Sequence, residues 1–416
     1  MQEQTFERNL QYYKFCAYGF LKDLRFYEPF LMLFFLEKGL TFFQIGGLYA
    51  AREVFINLLE IPSGLLADVM GRKRTMIASF LAYIVSFLVF YFAAGYWVLF
   101  AAMAFYAFGD AFRTGTHKAM IFDYLKARGW SHLKTHYYGN TRAWSQRGAA
   151  VSALIAAGLV FWQGSYAPVF LFTIIPYVLD LFLIASYPKA LDGARHSSLS
   201  LAGLRHEFAA VLRSLADSFK KPEALRSVAN QALYSGFYKA CKDYLQPLLK
   251  TLALALPFLL FLADQERTAV LTGAVYSVLY VLTSFASSQS GPFSARFKNL
   301  ARPLNITMIA GISLGLLSGG AHHLGLTAVA VVLYLGIYIT ENLRKPMGIA
   351  YVSERMNQDS LASALSVESQ AETLFAALIA LGLGFFSSLW GPGLGLAVIA
   401  ACCLVLAFVL RLPEKK

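Results

Sequence analysis

The chain has 416 residues, of which 57% are hydrophobic, 15% aromatic and only 14% charged, and its formal net charge is +12. With a positive mean hydropathy, this composition excludes an ordinary soluble domain, which must cover itself with polar side chains. The net positive charge alone could indicate a nucleic-acid-binding protein. The basic residues, however, are concentrated between apolar stretches, which indicates a membrane protein without a nucleic-acid partner.

Apolar stretches long enough to cross a bilayer follow one another along the whole chain. About 20 apolar residues are needed to cross ~30 Å of hydrocarbon as a helix. The stretches fall at about 15–36, 44–67, 75–94, 97–122, 143–163, 168–187, 228–262, 268–290, 303–320, 325–352, 361–387 and 391–411. We therefore predict an all-α membrane protein with twelve transmembrane helices. The seventh stretch is too long for one straight span, and we expect it to kink or end at Pro247 and Pro257.

Basic residues in the connections predict the orientation, because Lys and Arg accumulate on the cytoplasmic side. The connections on the other side contain only Lys38 and Arg267. This asymmetry places both termini in the cytoplasm and the chain in the cytoplasmic (inner or plasma) membrane. The N-terminal segment and the alternate connections that follow it contain Arg8, Lys14, Arg72, Lys73, Arg74, Lys126, Arg128, Lys134, Lys189, Arg195, Arg205, Arg213, Lys220, Lys221, Arg226, Arg296, Lys298, Arg302, Arg355, Arg411, Lys415 and Lys416.

The longest polar connection divides six predicted spans from six. Residues 1–188 form a predicted N-terminal six-helix bundle, residues 189–227 a cytoplasmic linker and residues 228–416 a C-terminal six-helix bundle. Within the linker, apolar residues recur at helical spacing from Leu201 to Leu215. We interpret this segment as an amphipathic helix along the inner leaflet.

The two halves resemble each other weakly. Gly19–Lys22 in the first span matches Gly236–Lys239 in the seventh, and each is followed by further cations and a proline. Two further matches occur in the same order at a similar offset: Asp110 and Arg113 with Glu341 and Arg344, and Ser145-Gln146 with Ser369-Gln370. Three ordered matches favour a duplicated six-helix unit over chance.

The connection between spans two and three has a specific pattern. Gly64 is followed by an acid four residues later, Asp68, and then by Gly71-Arg72-Lys73. This run closely resembles the loop signature of the major facilitator superfamily (MFS), although Val69 stands where that family usually has a basic residue. The resemblance implies the MFS fold, two pseudo-symmetric six-helix bundles, and secondary active transport by alternating access. A plain positively charged turn is the alternative interpretation.

The resemblance also implies roles for the four motif residues. Gly64 would permit close approach of two helices, since it has no side chain. Asp68 would lie against the N-terminus of helix eleven near Asp359, where unpaired N–H groups attract a carboxylate. Gly71 would form the turn. Arg72 would complete a charge cluster that closes the cytoplasmic side.

Charged residues inside the predicted spans are the candidate functional residues. One charge at the centre of a membrane helix costs about 2.5–3.5 kcal/mol, so these residues must pair with one another or line a watery cavity. The predicted substrate and coupling cavity contains Lys22, Asp23, Arg25, Glu28, Glu53, Asp110, Arg113, Lys239, Lys242, Asp243, Glu341, Arg344 and Gln370. Spans three, six, nine and twelve are nearly uncharged, Asp180 being the exception. The resemblance implies that these four are outer supporting helices.

Two interpretations of these charges stay open. They can be structural ion pairs, as the spacing of an acid three residues before an arginine allows. Alternatively, one carboxylate takes up a proton during transport and couples it to movement. The candidates for that role, in order, are Asp23, Glu28, Asp110 and Glu341.

The matched cations of spans one and seven bear on the solute. Lys22 and Lys239, with Arg25 and Lys242, would favour an anionic solute if they face the cavity. Neighbouring acids can also neutralise these cations, so an uncharged solute stays possible at this point.

The leading function is a proton-coupled permease for a small organic, in one interpretation anionic, solute, working as a monomer. A metabolite or drug efflux antiporter is the first alternative, although Arg147–Gly158 in span five lacks the Gly-Pro ending usual in drug antiporters. A membrane receptor or lipid-handling protein of the same fold is the second. We expect no enzyme activity, cofactor or metal, since the sequence contains no Walker A loop, nucleophile elbow or His-Glu-x-x-His motif.

Overall fold

The computed structural model of the chain describes residues 6–130, 133–192, 222–257, 260–355 and 358–414, and all regular structure in these ranges is helical. The predicted amphipathic linker helix lies outside them. The helices are α1 (Leu10–Lys22), α2 (Leu31–Glu37), α3 (Phe42–Met70), α4 (Arg72–Phe92), α5 (Tyr96–Arg113), α6 (Thr116–Ala127), α7 (Lys134–Gln163), α8 (Pro168–Ala185), α9 (Pro222–Cys241), α10 (Leu245–Ala255), α11 (Asp264–Ser288), α12 (Ser290–Ser294), α13 (Ala301–His323), α14 (Thr327–Arg355) and α15 (Gln358–Val409).

Breaks divide three of the predicted spans. The first span is α1 and α2, the fourth is α5 and α6, and the seventh is α9 and α10. The fourth breaks at Gly115, whose φ of +84° suits glycine because it has no Cβ. Conversely, α15 covers spans eleven and twelve, and its helical path is interrupted at Gly391, where φ is +80° and ψ is 165°.

The break and the end of the seventh span both lie next to its prolines. A 3₁₀ turn at Lys242–Tyr244 separates α9 from α10, and Pro247 lies in the first turn of α10. A proline in a first turn costs no helical hydrogen bond, because the N–H groups there have no intrahelical acceptor. The last residue of α10 is Ala255, two residues before Pro257. The predicted break and the predicted end are both present, and the break lies just before Pro247.

Packing divides the chain into two compact units. The first consists of Met1–Pro29 with Phe55–Arg205, and the second of Phe30–Val54 with His206–Lys416. The segment Phe30–Val54 therefore packs with the C-terminal half of the sequence although it belongs to the first two spans. In the second unit, for example, the side chain of Gln246 accepts a hydrogen bond of 2.8 Å from the backbone N–H of Met32.

In the first unit, α1 packs against α7 and α8, and α4 packs against α5 and α8. Glycines allow the close approach of α1 and α7. A Cβ added at Gly148 would overlap the carbonyl oxygen of Phe20 and lie 3.1 Å from its Cα, and one added at Gly19 would lie 2.8 Å from Oγ of Ser145. Small residues at such contacts let helix backbones approach in membranes.

In the second unit, α9 packs against α15, and α13 packs against α14 and α15. A Cβ added at Gly236 of α9 would lie 2.7 Å from Cβ of Phe375 and 3.0 Å from the backbone nitrogen of Ala376. Gly236 is the residue that the sequence repeat matches with Gly19. Both glycines thus lie where the first helix of a half meets the fifth span of that half, which gives the sequence repeat a structural counterpart.

Candidate transport site

One charged cluster lies where α1 ends. The ammonium group of Lys22 is 2.9 Å from both carboxylate oxygens of Asp23. The guanidinium group of Arg25 is 3.5 Å from Asp23 and 3.9 Å from Glu28. These four side chains lie at the end of α1 and in the segment that follows it, up to the 3₁₀ helix Glu28–Phe30. We call Lys22, Asp23, Arg25, Glu28, Asp110 and Arg113 the first-half cluster.

The remaining members of this cluster come from the end of α5. Arg113 and Asp110 form an ion pair of 2.8 Å, as their spacing predicts. Tyr83 of α4 donates a hydrogen bond of 2.5 Å to the same carboxylate oxygen and accepts one of 3.0 Å from Nε of Arg113. The pair is therefore fixed from a neighbouring helix by a tyrosine that the sequence reasoning had not identified.

The second unit contains a different arrangement around Lys239, which we call the lysine bridge. The Lys239 ammonium group lies 2.8 Å from Glu372 of α15 and 3.7 Å from Glu53 of α3. Arg52 contacts the other side of Glu53 at 2.8 Å. Glu53 is only 4% exposed, whereas Lys239 is about one-third exposed. Two cations and two carboxylates thus balance one another across three helices, and Arg52, Lys239 and Glu372 have long side chains that can exchange partners.

Glu341 and Arg344 do not repeat the pairing of Asp110 and Arg113. The Glu341 carboxylate accepts a hydrogen bond of 3.0 Å from Ser235 and lies 3.8 Å from the ammonium group of Lys345. Arg344 is 1% exposed and donates to the carbonyl oxygens of Asn230 and Leu304 instead. It joins α14 to α9 and α13, which is the geometry of a structural residue.

The other predicted cavity residues of the second half lie near the turn between α9 and α10 and on α15. Tyr338 of α14 donates to the carbonyl oxygen of Lys242, and Asp243 in the same turn is 4% exposed. Gln370 is buried on α15, two residues before Glu372, and its carbonyl oxygen accepts a hydrogen bond of 2.9 Å from Thr373.

The signature loop is held by two acids from elsewhere in the first unit. Gly71 has a φ of +92° and precedes the first residue of α4. Asp192 accepts a hydrogen bond of 2.8 Å from the backbone N–H of Lys73, so it caps this helix in place of a residue at the N-cap. Arg72 forms an ion pair with Asp123 of α6. These acids follow spans six and four, and no signal in the sequence had connected them with the loop.

The structure describes no close neighbour of Gly64. A Cβ added at Gly64 would meet no described atom within 4 Å, and the close approach of a helix to this glycine stays a prediction. The side chains of Asp68 and Asp359 lie outside the described part of the structure. Their predicted contact stays a prediction.

Two pockets of the described structure have apolar linings. The larger, of about 450 Å³, is lined only by apolar side chains of α3, α4 and α5, among them Phe55, Leu81 and Phe105. The second is lined by α1, α7 and α8 and is also apolar. Neither offers a polar group that could orient a solute, so the charged clusters remain the candidate site.

The comparisons with known proteins decide the family. The profile of the Major Facilitator Superfamily matches residues 23–370. The chain belongs to the Major Facilitator Superfamily. It is therefore an integral membrane protein and a transporter of that family. A curated relative, the uncharacterized MFS-type transporter YxaM of Bacillus subtilis (strain 168), is 24% identical over 229 residues. The match spans about half of each protein, 54% of this chain and 55% of the relative.

Solved structures confirm the predicted fold of the transporter. The nucleoside transporter NupG superposes with a TM-score of 0.72 at 13% identity, over 98% of both chains. A POT family transporter in complex with a thioalcohol-conjugated peptide gives 0.72 at 13% identity, over 96% of this chain and 95% of that one. A D-xylose–proton symporter gives 0.69 at 13% identity, over 98% of both chains. At this identity the similarity establishes the fold alone.

The apolar helices of the transporter agree with the expected division of its spans. Five described helical segments are long and apolar enough to cross a membrane on length and composition alone: Arg72–Phe92, Pro168–Ala185, Asp264–Ser288, Ala301–His323 and Val367–Val409. They include all four spans that were predicted to be nearly uncharged. Most of the remaining spans carry the clustered charges or are interrupted by breaks.

Proposed function

We propose that this transporter is a proton-coupled permease that moves a small organic anion across the membrane by alternating access. The observation that carries the proposal is the lysine bridge, in which Lys239 contacts Glu372 and Glu53 on two other helices. Ion pairs between helices that must separate are suited to couple an ion to movement, because protonation of either carboxylate removes its attraction for the lysine.

Charge balance supports a proton as the companion of the solute. Arg52 and Lys239 are balanced by Glu53 and Glu372, so the bridge has no free positive charge for an anion. An anionic solute can pair with Lys239 only if a carboxylate leaves it, and that carboxylate is then stabilised by taking up a proton. The site therefore accepts an anion and a proton together, which makes each transport step nearly neutral in charge.

The structural relatives support the same class of function. They include a nucleoside transporter, a POT family peptide transporter and a symporter that pairs D-xylose with protons. All three carry small organic solutes, and the third carries protons together with its solute.

The proposal also includes the orientation of the chain, its two bundles and the residues that close the cytoplasmic side. Both termini lie in the cytoplasm, the bundles are residues 1–188 and 228–416, and residues 189–227 link them. Asp68 and Arg72 close the cytoplasmic side in the state that brings a neighbouring helix against Gly64. The chain works as a monomer.

Two measurements test the proposal. A panel of anionic, zwitterionic and neutral organic solutes is screened for thermal stabilisation of the purified protein at two pH values. Solutes that stabilise it are then followed into proteoliposomes with and without a protonophore. We expect anions to stabilise the wild type more strongly at the lower pH, and we expect the Lys239→Gln variant to lose this effect.

Uptake of the anion should follow an imposed proton gradient and stop with the protonophore. Stabilisation by neutral solutes alone would refute the anionic solute, and flux that ignores the protonophore would refute proton coupling. If no solute moves, and the Asp68→Asn variant matches the wild type throughout, the receptor alternative is favoured.

A further inference from the structure

Asp180 on α8 is a fully buried carboxylate without a hydrogen bond. Its exposed fraction is 0%, and neither oxygen has a hydrogen-bond partner among the described residues. An ionised carboxylate in such a place loses its hydration and gains no hydrogen bond in return, which costs several kcal/mol. By contrast, each of the three carboxylates of the first-half cluster has a direct basic partner.

The charged groups that act on Asp180 come from two helices. Lys22 at the end of α1 and Arg113 of α5 attract a negative charge there, and Asp23 repels it. No charged residue of α4 or α7, which also pack against α8, acts on it in the described part of the chain. Asp180 is therefore close to the first-half cluster but is not a member of its ion pairs.

Lys22 contacts one carboxylate, Asp23, and acts electrostatically on a second, Asp180. Its ammonium group now contacts Asp23 at 2.9 Å. Its carbonyl oxygen accepts a hydrogen bond of 3.4 Å from Tyr177, which lies one turn before Asp180 on α8. Asp23 would keep Arg25 at 3.5 Å if Lys22 turned away from it.

Two tyrosines that act on Asp180 contact the same histidine. Tyr18 and Tyr187 both interact electrostatically with Asp180. The ring of His117 stacks on Tyr18 with centroids 3.6 Å apart, and its Nε2 lies 3.1 Å from the hydroxyl of Tyr187. The same hydroxyl donates a hydrogen bond of 3.5 Å to the carbonyl oxygen of Lys14, whose side chain is partly exposed.

We propose that Asp180 is a proton-binding site of this transporter. In the present conformation it is a neutral carboxylic acid, and it releases its proton when the Lys22 ammonium group turns from Asp23 to Asp180. The proton is released to solvent, and the cation of Lys22 then balances the new carboxylate. The role of this step in transport rests on the proposed proton coupling, whereas the protonation itself does not.

Infrared spectroscopy tests the protonation without any solute. A protonated carboxylic acid has its own carbonyl stretching band, so difference spectra for a step from neutral to alkaline buffer reveal it. We expect this band in the wild type and its loss in Asp180→Asn. The Asp264→Asn variant is the matched control, because it removes a carboxylate that is 70% exposed, and it should keep the band. A band of full intensity in Asp180→Asn overturns the proposal.

Two further variants keep the test decisive. If Asp180→Asn does not fold, Asp180→Glu should move the band to another frequency, and an unmoved band overturns the assignment. In Lys22→Gln the band should persist to higher pH, because the cation that favours ionisation is gone. If the carbonyl band of Lys22→Gln disappears at the same pH as that of the wild type, Lys22 does not control the ionisation of Asp180. Flux insensitive to a protonophore would refute the proposed function and leave the infrared result intact.

Discussion

Lys22 and Lys239 occupy matched positions in the two halves, yet their ammonium groups bind carboxylates of different origin. Lys22 contacts Asp23, the next residue in the chain, at 2.9 Å, whereas Lys239 contacts Glu372 of another helix at 2.8 Å. In the first half the lysine pairs with its neighbour in sequence, and in the second half it joins two separate helices. The matched positions therefore make different structural contacts.

The bridge between Lys239 and Glu372 should appear as an energetic coupling. We expect Lys239→Gln and Glu372→Gln each to lower the free energy of unfolding, and the double variant to lose less than the two losses added together, because the second change removes a charge that has already lost its partner. The coupling should be about 0.5–3 kcal/mol. Unfolding in detergent measures it for all four proteins. Lys250→Gln, at an exposed lysine of α10, is the control, and strictly additive losses would contradict the bridge.

Gly148 should be intolerant of a methyl group, and Gly158 of the same helix should accept one. The added Cβ would overlap a backbone carbonyl oxygen at Gly148 and would meet no described atom within 4 Å at Gly158. We expect Gly148→Ala to destabilise the protein by about 1–3 kcal/mol, since the backbone must shift. Gly158→Ala should be neutral or stabilise by up to about 1 kcal/mol, because alanine favours helix. Thermal unfolding in detergent decides, and equal midpoints would contradict the close packing of α1 and α7.

Arg344 should be needed for folding, whereas its neighbour Lys345 should not. Arg344→Met removes the donor that links the carbonyl oxygens of Asn230 and Leu304, and each lost hydrogen bond to a charged group costs about 1.5–3 kcal/mol. Lys345→Met changes a half-exposed side chain and should stay within about 0.5 kcal/mol. The yield of monodisperse protein and its unfolding midpoint provide the comparison. Wild-type stability in Arg344→Met would favour a role in the cavity over a structural one.

Gly64 should matter for transport and not for the stability of this conformation. The added Cβ of Gly64→Ala meets no described atom within 4 Å, so the unfolding midpoint should not fall. If the other state of the transport cycle brings a helix against this residue, overpacking by about 1.4 kcal/mol would lower the population of that state tenfold and slow the flux. Gly71→Ala is the contrasting variant. It should lower stability as well, because φ is +92° and the added Cβ would lie 2.5 Å from the carboxylate of Asp192. Unchanged flux in Gly64→Ala would contradict the motif-based role.

The prolines are an example of features that neighbouring residues alone can predict. Pro247 and Pro257 marked the break and the end of the seventh span, because a missing N–H and a fixed φ act on the residues next to them whatever packs nearby. The pair of Asp110 and Arg113 could be anticipated in the same way, since side chains three residues apart on a helix are neighbours. Glu341 and Arg344 have the same spacing and failed to pair. Carbonyl groups of two other helices bind that arginine instead, and the sequence around Arg344 does not predict which helices pack against it.

The sequence by itself determined the family, the all-helical membrane fold, the division into charged and uncharged spans and the internal repeat. These properties follow from hydropathy, helix periodicity and a contiguous loop motif, each of which is local in the chain. Tertiary structure alone decided the partner of each charge: Glu372 for Lys239, Asp123 for Arg72 and Asp192 for the backbone of Lys73. It also left Asp180 without a hydrogen bond in the described structure. Partners far apart in sequence are chosen by packing, and packing depends on the whole fold at once.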